Sequence, residues 1–243
     1  MKNCMYQVEE NRKIADGIFR MRLAGDTSAI TAPGQFVNLK IEGCYLRRPI
    51  SVCDMEPGKL TLIYKVVGKG TEILSGMEAG AEIDALAGLG NGFDPERGGK
   101  TPLLIGGGVG VPPLYYLCRK LIQAGAAPVA VLGFNSAKDV FYREEFEALG
   151  ARVLLTTADG TAGQRGFVTD AVAGLSYSYF YACGPEPMFR ALDAVLTTPG
   201  EYSFEARMGC GFGACMGCSC KTKYGNKRIC REGPVLRREE VIW

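Results

Sequence analysis

The chain has 243 residues, a net charge of +2 at neutral pH, ten cysteines and no histidine. The near-neutral balance gives no global electrostatic case for nucleic acid or an acidic membrane surface, and the missing imidazole excludes Ser–His and Cys–His nucleophile systems. The length suits one large domain or two to three small ones, with the chemistry left to cofactors.

The stretch from Met1 to Glu10 is broken by charge almost at once, so no secretory signal is expected. No apolar run approaches the roughly 18 residues of a spanning helix, so no membrane partner is expected. Abundant thiols without an export signal point to a reducing cytoplasm, where they are free or bound to metal.

Residues 1 to about 97 read as short strands broken by turns. Phe36 to Ile41, Leu60 to Val67 and Ile83 to Leu86 are apolar or alternating runs, and Ala32-Pro-Gly, Glu56-Pro-Gly-Lys and Gly88-Leu-Gly-Asn-Gly are turn signals. Strands at this spacing favour a small antiparallel barrel. Within it, Leu46-Arg-Arg-Pro-Ile-Ser-Val delivers Arg48, Pro49, Ile50 and Ser51 at a strand end. Arg48 can fork onto a pyrophosphate, and Ser51 can offer a hydroxyl to a flavin ring nitrogen. Solvated arginines beside a turn serine would give the same string. Ile63, Tyr64 and Lys65 then run into Gly70 and Thr71, a strand entering a helix whose first N–H groups suit a diphosphate. An ordinary strand–turn–helix competes with that reading, in which Ile63 and Tyr64 would pack on a flavin or adenine.

From about residue 98 strands and helices alternate, the pattern of a doubly wound parallel sheet. Pro102 to Gly106 is a short apolar strand, and Gly106, Gly107, Gly108 and Gly110 follow in a loop that opens a helix at Pro113. That context suits a dinucleotide, although the string is not a strict GxGxxG and a tight structural turn is the competing reading. Val129 to Phe134, Val153 to Thr157 and Tyr179 to Cys183 are further strands, with helices over Glu144 to Leu149 and Glu186 to Leu196. Cys183, Gly184 and Pro185 end the last of these strands, where open α/β sheets bind ligands. Gly184 and Pro185 are read as a floor near a nicotinamide, and Cys183 as pocket lining or plain core.

Beyond about residue 200 lies the segment richest in chemistry. Cys210, Cys215 and Cys218 stand as C-x4-C-x2-C, and Cys230 follows after eleven residues. The first three match plant-type ferredoxin spacing for a [2Fe–2S] centre, which needs four thiolates. Structural zinc is the competing reading, but it usually comes as two CxxC-like pairs. Cys220 can in principle replace Cys218, though only Cys218 gives the two-residue interval. Cys4, Cys44, Cys53 and Cys118 lie in apolar or strand-like contexts and read as small hydrophobes. The segment is too short for a large apolar core, so a cluster acting as a staple makes physical sense.

Taken in order, RPIS at Arg48–Ser51, the strand-to-GT element at Ile63–Thr71, the GGGVGVPPL and CGPEPM loops and the cysteine cluster resemble the ferredoxin–NADP reductase superfamily. More closely, the set resembles the iron–sulfur electron-transfer subunits of class 1B dihydroorotate dehydrogenases. Asn91-Gly-Phe at the barrel end and Cys230-Arg-Glu-Gly-Pro-Val strengthen the likeness, which covers essentially the whole chain. It implies an FAD-binding β-barrel over 1–97, an NAD-binding α/β domain over 98–199 and a small [2Fe–2S] domain over 200–243. By resemblance, Arg48, Pro49, Ile50, Ser51, Ile63, Tyr64, Lys65, Gly70 and Thr71 contact FAD, and Cys210, Cys215, Cys218 and Cys230 ligate the cluster. The implied partner is an FMN-containing catalytic subunit in a heterotetramer of two plus two chains. That partner oxidises dihydroorotate in pyrimidine biosynthesis, and this chain passes the electrons through its cluster and FAD to NAD+. Related modules serve NADH-dependent ferredoxin–NADP reductases, sulfide dehydrogenases and hydrogenases, which is the alternative reading. A zinc-stabilised binding module without redox chemistry is a third.

Overall fold

The computed structural model describes residues 1–243. Strands β1 (Lys2–Ala15), β2 (Ile18–Ala24), β3 (Phe36–Leu39), β4 (Arg48–Glu56), β5 (Lys59–Lys65) and β6 (Glu82–Leu89) close into an antiparallel barrel of order β1-β2-β5-β4-β3-β6. Alternation along each strand decides what faces in. Tyr6 and Val8, Met21 and Leu23, Val37 and Leu39, Leu60, Leu62 and Tyr64, and Ile83, Ala85 and Ala87 fill the interior. Helix α1 (Lys69–Ser75) lies between β5 and β6 and contributes Leu74 to the same core.

Past residue 98 the chain alternates as the sequence predicts. Strands β7 (Leu103–Gly107), β8 (Val129–Phe134), β9 (Arg152–Thr157), β10 (Gln164–Arg165), β11 (Phe180–Cys183) and β12 (Gly200–Ser203) run parallel. Helices α2 (Pro112–Gln123), α3 (Arg143–Ala148), α4 (Val168–Val172) and α5 (Glu186–Asp193) connect them. Pro112 and Pro113 open α2, where missing N–H groups cost nothing. Leu114, Leu117, Cys118 and Leu121 follow at helical spacing on its buried face.

The cysteine segment forms a hairpin of β13 (Ser219–Thr222) and β14 (Gly225–Arg228), then β15 (Val235–Arg237). The sheet has the order β10-β9-β8-β7-β11-β12-β15, with β15 antiparallel to β12. A division after residue 199 therefore cuts through the sheet. β12 and β15 complete its edge, and the cluster loop and hairpin are inserted between them.

These parts share apolar cores. Ile18, Cys53 and Ile63 of the barrel share one core with Leu114, Leu117 and Tyr181 of the sheet domain. Phe36 and Leu89 share another with Ile105, Phe180, Cys218, Ile229 and Cys230. The Arg119 guanidinium of α2 donates from Nε to Asp54 Oδ1 of β4 at 3.1 Å, and both side chains are largely buried.

Candidate functional site

The paired arginines of the RPIS motif have different surroundings. Arg47 is engaged, since its Nη1 donates to Asp84 Oδ1 at 2.9 Å and to the carbonyls of Asn38 and Asp84 at 3.3 Å. Arg48 has no carboxylate partner. It donates to the Leu46 carbonyl, and its guanidinium lies flat against Gly70, where an added Cβ would meet Arg48 Nε at 2.3 Å. Only glycine allows that approach, and it brings Arg48 to the start of α1. Arg48, Pro49, Ile50 and Ser51 are all half-buried, so the strand start is partly open. Thr71 is buried, and its hydroxyl takes hydrogen bonds from the N–H groups of Val67 at 2.9 Å and Gly68 at 3.3 Å. It shapes the turn rather than offering a free hydroxyl.

Tyr64 departs from the expectation that its ring packs on a cofactor. The ring points into the barrel, stacks on Phe19 at 5.9 Å between centroids and donates its hydroxyl to Asn11 Oδ1 at 2.9 Å. Tyr64 is left with its backbone to offer a ligand. Ile63 faces the opposite way, into the core shared with α2, and Lys65 is exposed at a cleft between barrel and sheet.

That cleft encloses about 600 Å³ at the C-terminal ends of the parallel strands. The barrel contributes Asp16, Ile18 and Lys65, and the sheet domain contributes Gly107, Gly108, Phe134, Asn135, Thr156, Pro185 and Met188. Gly108, at φ +52, has no neighbour within 4 Å of an added Cβ, so its backbone faces open space. A Cβ added at Gly106 would instead meet Val111 at 2.8 Å, and one added at Gly110 would collide with the Cys183 carbonyl. The four glycines thus divide between approach to a ligand and close packing of the loop on the β11 end. Gly184 closes against Met188. Cys183 is 3% exposed and sits in the core under the floor, where burial pushes its thiol up to about 12. It does not line the cleft. Sequence reasoning missed Thr156, which is 1% exposed at the cleft wall with a hydroxyl that has no hydrogen-bond partner. It also missed Glu205, whose carboxyl burial pushes up and which borders this cleft and a second one beside the cysteines.

The thiols fall into two pairs. Cys210 and Cys215 are linked through their loop. Ala214 N and Cys215 N donate to Cys210 Sγ at 3.2 and 3.4 Å, and Cys210 N approaches Cys215 Sγ at 3.5 Å. Burial works against the Cys210 thiolate, but N–H groups from Cys215, Phe212 and Ala214 outweigh it and bring the thiol down to about 6. Cys218 and Cys230 form the inner pair, 6% and 2% exposed, with Cys230 N donating to Cys218 Sγ at 3.4 Å. Burial and the neighbouring Cys218 push the Cys230 thiol up to about 12. Cys220 lies on β13 opposite Lys227.

The barrel grips both pairs. Asn38 Nδ2 donates to the Cys210 carbonyl at 3.2 Å. Asn91 Nδ2 donates to the carbonyls of Glu232 at 3.1 Å and Val235 at 2.8 Å, and its Oδ1 accepts from Val235 N at 3.1 Å. The donor set fits a dinuclear iron–sulfur centre: two thiols for each of two irons, N–H groups aimed at sulfur, and glycines at 209 and 217 where an added Cβ would lie within 3.5 Å of Cys215 Sγ. The arginine–glycine contact at Arg48 and Gly70 fits a diphosphate, and the cleft at Gly108 fits a dinucleotide.

Comparison with known proteins points the same way. A family described as the iron–sulfur cluster binding domain of dihydroorotate dehydrogenase B matches residues 205–242, and the oxidoreductase NAD-binding domain matches residues 104–194. The chain is 45% identical to a dihydroorotate dehydrogenase B (NAD(+)) electron transfer subunit of Bacillus pumilus, over 99% of this chain and 98% of that protein. It is 40% identical to the subunit of the same name from Fusobacterium nucleatum, over 96% of each. Among solved structures, an NADH-dependent reduced ferredoxin–NADP oxidoreductase superposes with a TM-score of 0.88 at 31% identity, over 98% of this chain and 90% of that one. A cytochrome P450 reductase from Amycolatopsis superposes with a TM-score of 0.71 at 26% identity, over 78% and 64% of the two chains.

Proposed function

We propose, from the premise that this chain belongs to the family of electron transfer subunits of NAD+-dependent dihydroorotate dehydrogenase B, that it relays electrons from an FMN-containing catalytic subunit to NAD+ in pyrimidine biosynthesis. When bound, a [2Fe–2S] centre carries single electrons, FAD converts between one- and two-electron exchange, and NAD+ takes up hydride. The chain's own residues bind, orient and insulate these groups. Arg48 and the start of α1 at Gly70 and Thr71 take the flavin diphosphate. The backbone of Ile63, Tyr64 and Lys65 lines the flavin, with Pro49, Ile50 and Ser51 alongside. The loop at Gly107 and Gly108 admits NAD, and Gly184 and Pro185 form the floor beneath it. Cys210, Cys215, Cys218 and Cys230 hold the cluster.

The observation that carries this reading is the shared cleft. Lys65 of a flavin-motif strand and Gly107, Gly108 and Pro185 of the nucleotide loops line one cavity, as hydride exchange between two bound cofactors requires. Phe212 and Met216, on the exposed side of the cluster loop, are 42% and 54% exposed and suit coverage by a catalytic partner. Two such pairs assembling as a heterotetramer complete the proposal. Co-expression with an FMN-containing dihydroorotate-oxidising barrel subunit is expected to give a complex that reduces NAD+ with dihydroorotate. The isolated chain is expected to reduce dyes with NADH and to leave dihydroorotate untouched. Dihydroorotate oxidation by the isolated chain would overturn the assignment. The likeness to the ferredoxin–NADP oxidoreductase keeps a second reading in view, and co-purification with a large second flavoprotein would favour it.

A further inference from the structure

β3 is the strand between the cluster loop and the flavin motif. Its Val37 and Leu39 point into the barrel, so Phe36 and Asn38 point out, and Phe36 packs in the same core as Cys218 and Cys230. In the β3–β4 register Asn38 stands opposite Pro49 and Phe36 opposite Ser51. Residues paired across antiparallel strands share a face. One outer face therefore carries Phe36, Asn38, Pro49 and Ser51, and the Cys210 loop lies on it.

Asn38 is 1% exposed, yet it is the polar member of an otherwise apolar buried strand, Phe36–Leu39. Its Nδ2 donates to the Cys210 carbonyl at 3.2 Å across 172 residues of sequence, while its Oδ1 is buried with no partner. A half-satisfied buried amide is costly, and an apolar side chain here would avoid the cost. The orientation is fixed, because swapping the amide would set oxygen against the Cys210 carbonyl. Gly211, at φ +78, presses on the amide so closely that an added Cβ would lie 2.3 Å from Asn38 Nδ2. From behind, Arg47 donates to the Asn38 carbonyl at 3.3 Å and is itself held by Asp84.

We infer that Asn38 is a positioning residue for electron transfer: its amide locks the Cys210–Gly211 turn onto the strand pair bearing Pro49 and Ser51, and so fixes the approach of the cluster's outer thiol pair to the flavin. The inference rests on the relay proposed above. Asn38 gains and loses no electron or proton; it holds geometry. Small displacements of reacting groups are expensive in rate, and a loop of glycines has little stiffness of its own.

The test uses the whole chain loaded with FAD and cluster, in anaerobic stopped-flow with NADH, comparing wild type with Asn38→Ala, Asn38→Asp and Gly211→Ala. Asn38→Ala removes the amide. Asn38→Asp keeps its shape and replaces the donor by a carboxylate. Gly211→Ala keeps Asn38 and forces the turn off it. Cluster reduction is expected to slow on the order of tenfold relative to FAD reduction in each variant. The electron paramagnetic resonance spectrum of the reduced cluster is expected to change, and Asn38→Asp to lower the cluster potential. A wild-type rate ratio and spectrum in Asn38→Ala, with both cofactors bound, would overturn the inference. So would loss of both cofactors and of cooperative unfolding in Asn38→Ala and Asn38→Asp alike, which would make the residue a fold determinant only. Failure of the relay itself is separable, because the wild-type cluster would then not be reduced by NADH.

Discussion

The two thiol pairs are built on opposite principles. Cys218 and Cys230 sit inside an apolar core with Ile105, Phe180, Ile229 and Leu236. Cys210 and Cys215 sit in a loop nearer solvent, shaped by glycines and by N–H groups turned toward sulfur. Met216 in that loop takes a left-handed φ of 61°, a conformation a side chain of its kind rarely adopts. The inner pair is thus positioned by packing that exists without metal, whereas the outer pair depends on hydrogen bonds and on Asn38. The proposed centre would thus combine a rigid anchor with an adaptable mouth, and the adaptable half is the more exposed one.

The largest expected effect breaks this contrast directly. Cys215→Ser and Cys230→Ser are both expected to abolish the cluster, read as iron and acid-labile sulfide per chain. They are expected to differ in the metal-free protein. Cys230→Ser buries a hydroxyl among apolar neighbours and is expected to lower unfolding free energy in urea by about 1–3 kcal/mol. Cys215→Ser changes an exposed position and is expected to stay within about 0.5 kcal/mol of wild type, with FAD retained. Equal losses in the two variants would mean that the inner pair has no structural support beyond the metal.

A middle-sized effect sharpens the contrast from beneath the inner pair. β15 follows Cys230 and pairs with β12, setting Arg237 opposite Glu201. Glu201 is 3% exposed and accepts from Asp94 N at 3.2 Å. Burial, reinforced by the Asp94 charge, raises its carboxyl from 4.5 to about 7. Between those values the folded chain holds a proton that the unfolded chain has released. Stability contributed by the protonated group is therefore complete below about pH 4.5 and is lost as pH rises through about 7. Glu201→Gln keeps an acceptor for Asp94 N and removes the titration. It is expected to flatten the fall in stability between pH 5 and pH 8, and to leave the variant more stable at pH 8 by on the order of 2–3 kcal/mol. Urea melts across that range check it, and an unchanged slope would show that Glu201 is charged throughout.

Much of this was legible in the chain itself. The period-two runs gave the barrel, the strand–glycine–helix alternation gave the parallel sheet, and C-x4-C-x2-C gave the cluster loop. The direction of the Tyr64 ring was also legible, since Leu60, Leu62 and Tyr64 are one alternating set. Other features depend on contacts no local pattern encodes. Asn38 and Asn91 read as ordinary strand and turn residues until the cysteine segment folds onto them from more than a hundred residues away. Cys183 sits at the end of a ligand-facing strand, yet its side chain falls on the core side of the pleat. Thr156 carries no motif at all and is noticed only because its hydroxyl is buried without a partner. β12 and β15 are too short to stand out, so their place in the sheet becomes visible only in the pairing.

The smallest expected effect concerns the thiol that spacing alone left ambiguous. Cys220 is two residues from Cys218, but it lies in a strand where the side-chain direction alternates, with Ser219 and Lys221 exposed on the opposite face. Its thiol is raised by burial, with Cys218 adding to the shift and Lys227 opposing it. Cys230 by contrast donates its N–H to Cys218 Sγ and feels both Cys218 and Cys210. For Cys220 to take the place of Cys218, β13 would have to slip by two residues against β14, which would undo its pairing from Ser219–Arg228 to Thr222–Gly225 and break the bridge from Thr222 to Val241. Cys220→Ser is therefore expected to keep iron content and the cluster spectrum, with a stability change of about 1 kcal/mol or less for a half-buried hydroxyl. Loss of iron in this variant would assign the inner pair to Cys220 and Cys230, and the argument that packing selects Cys218 would fail with it.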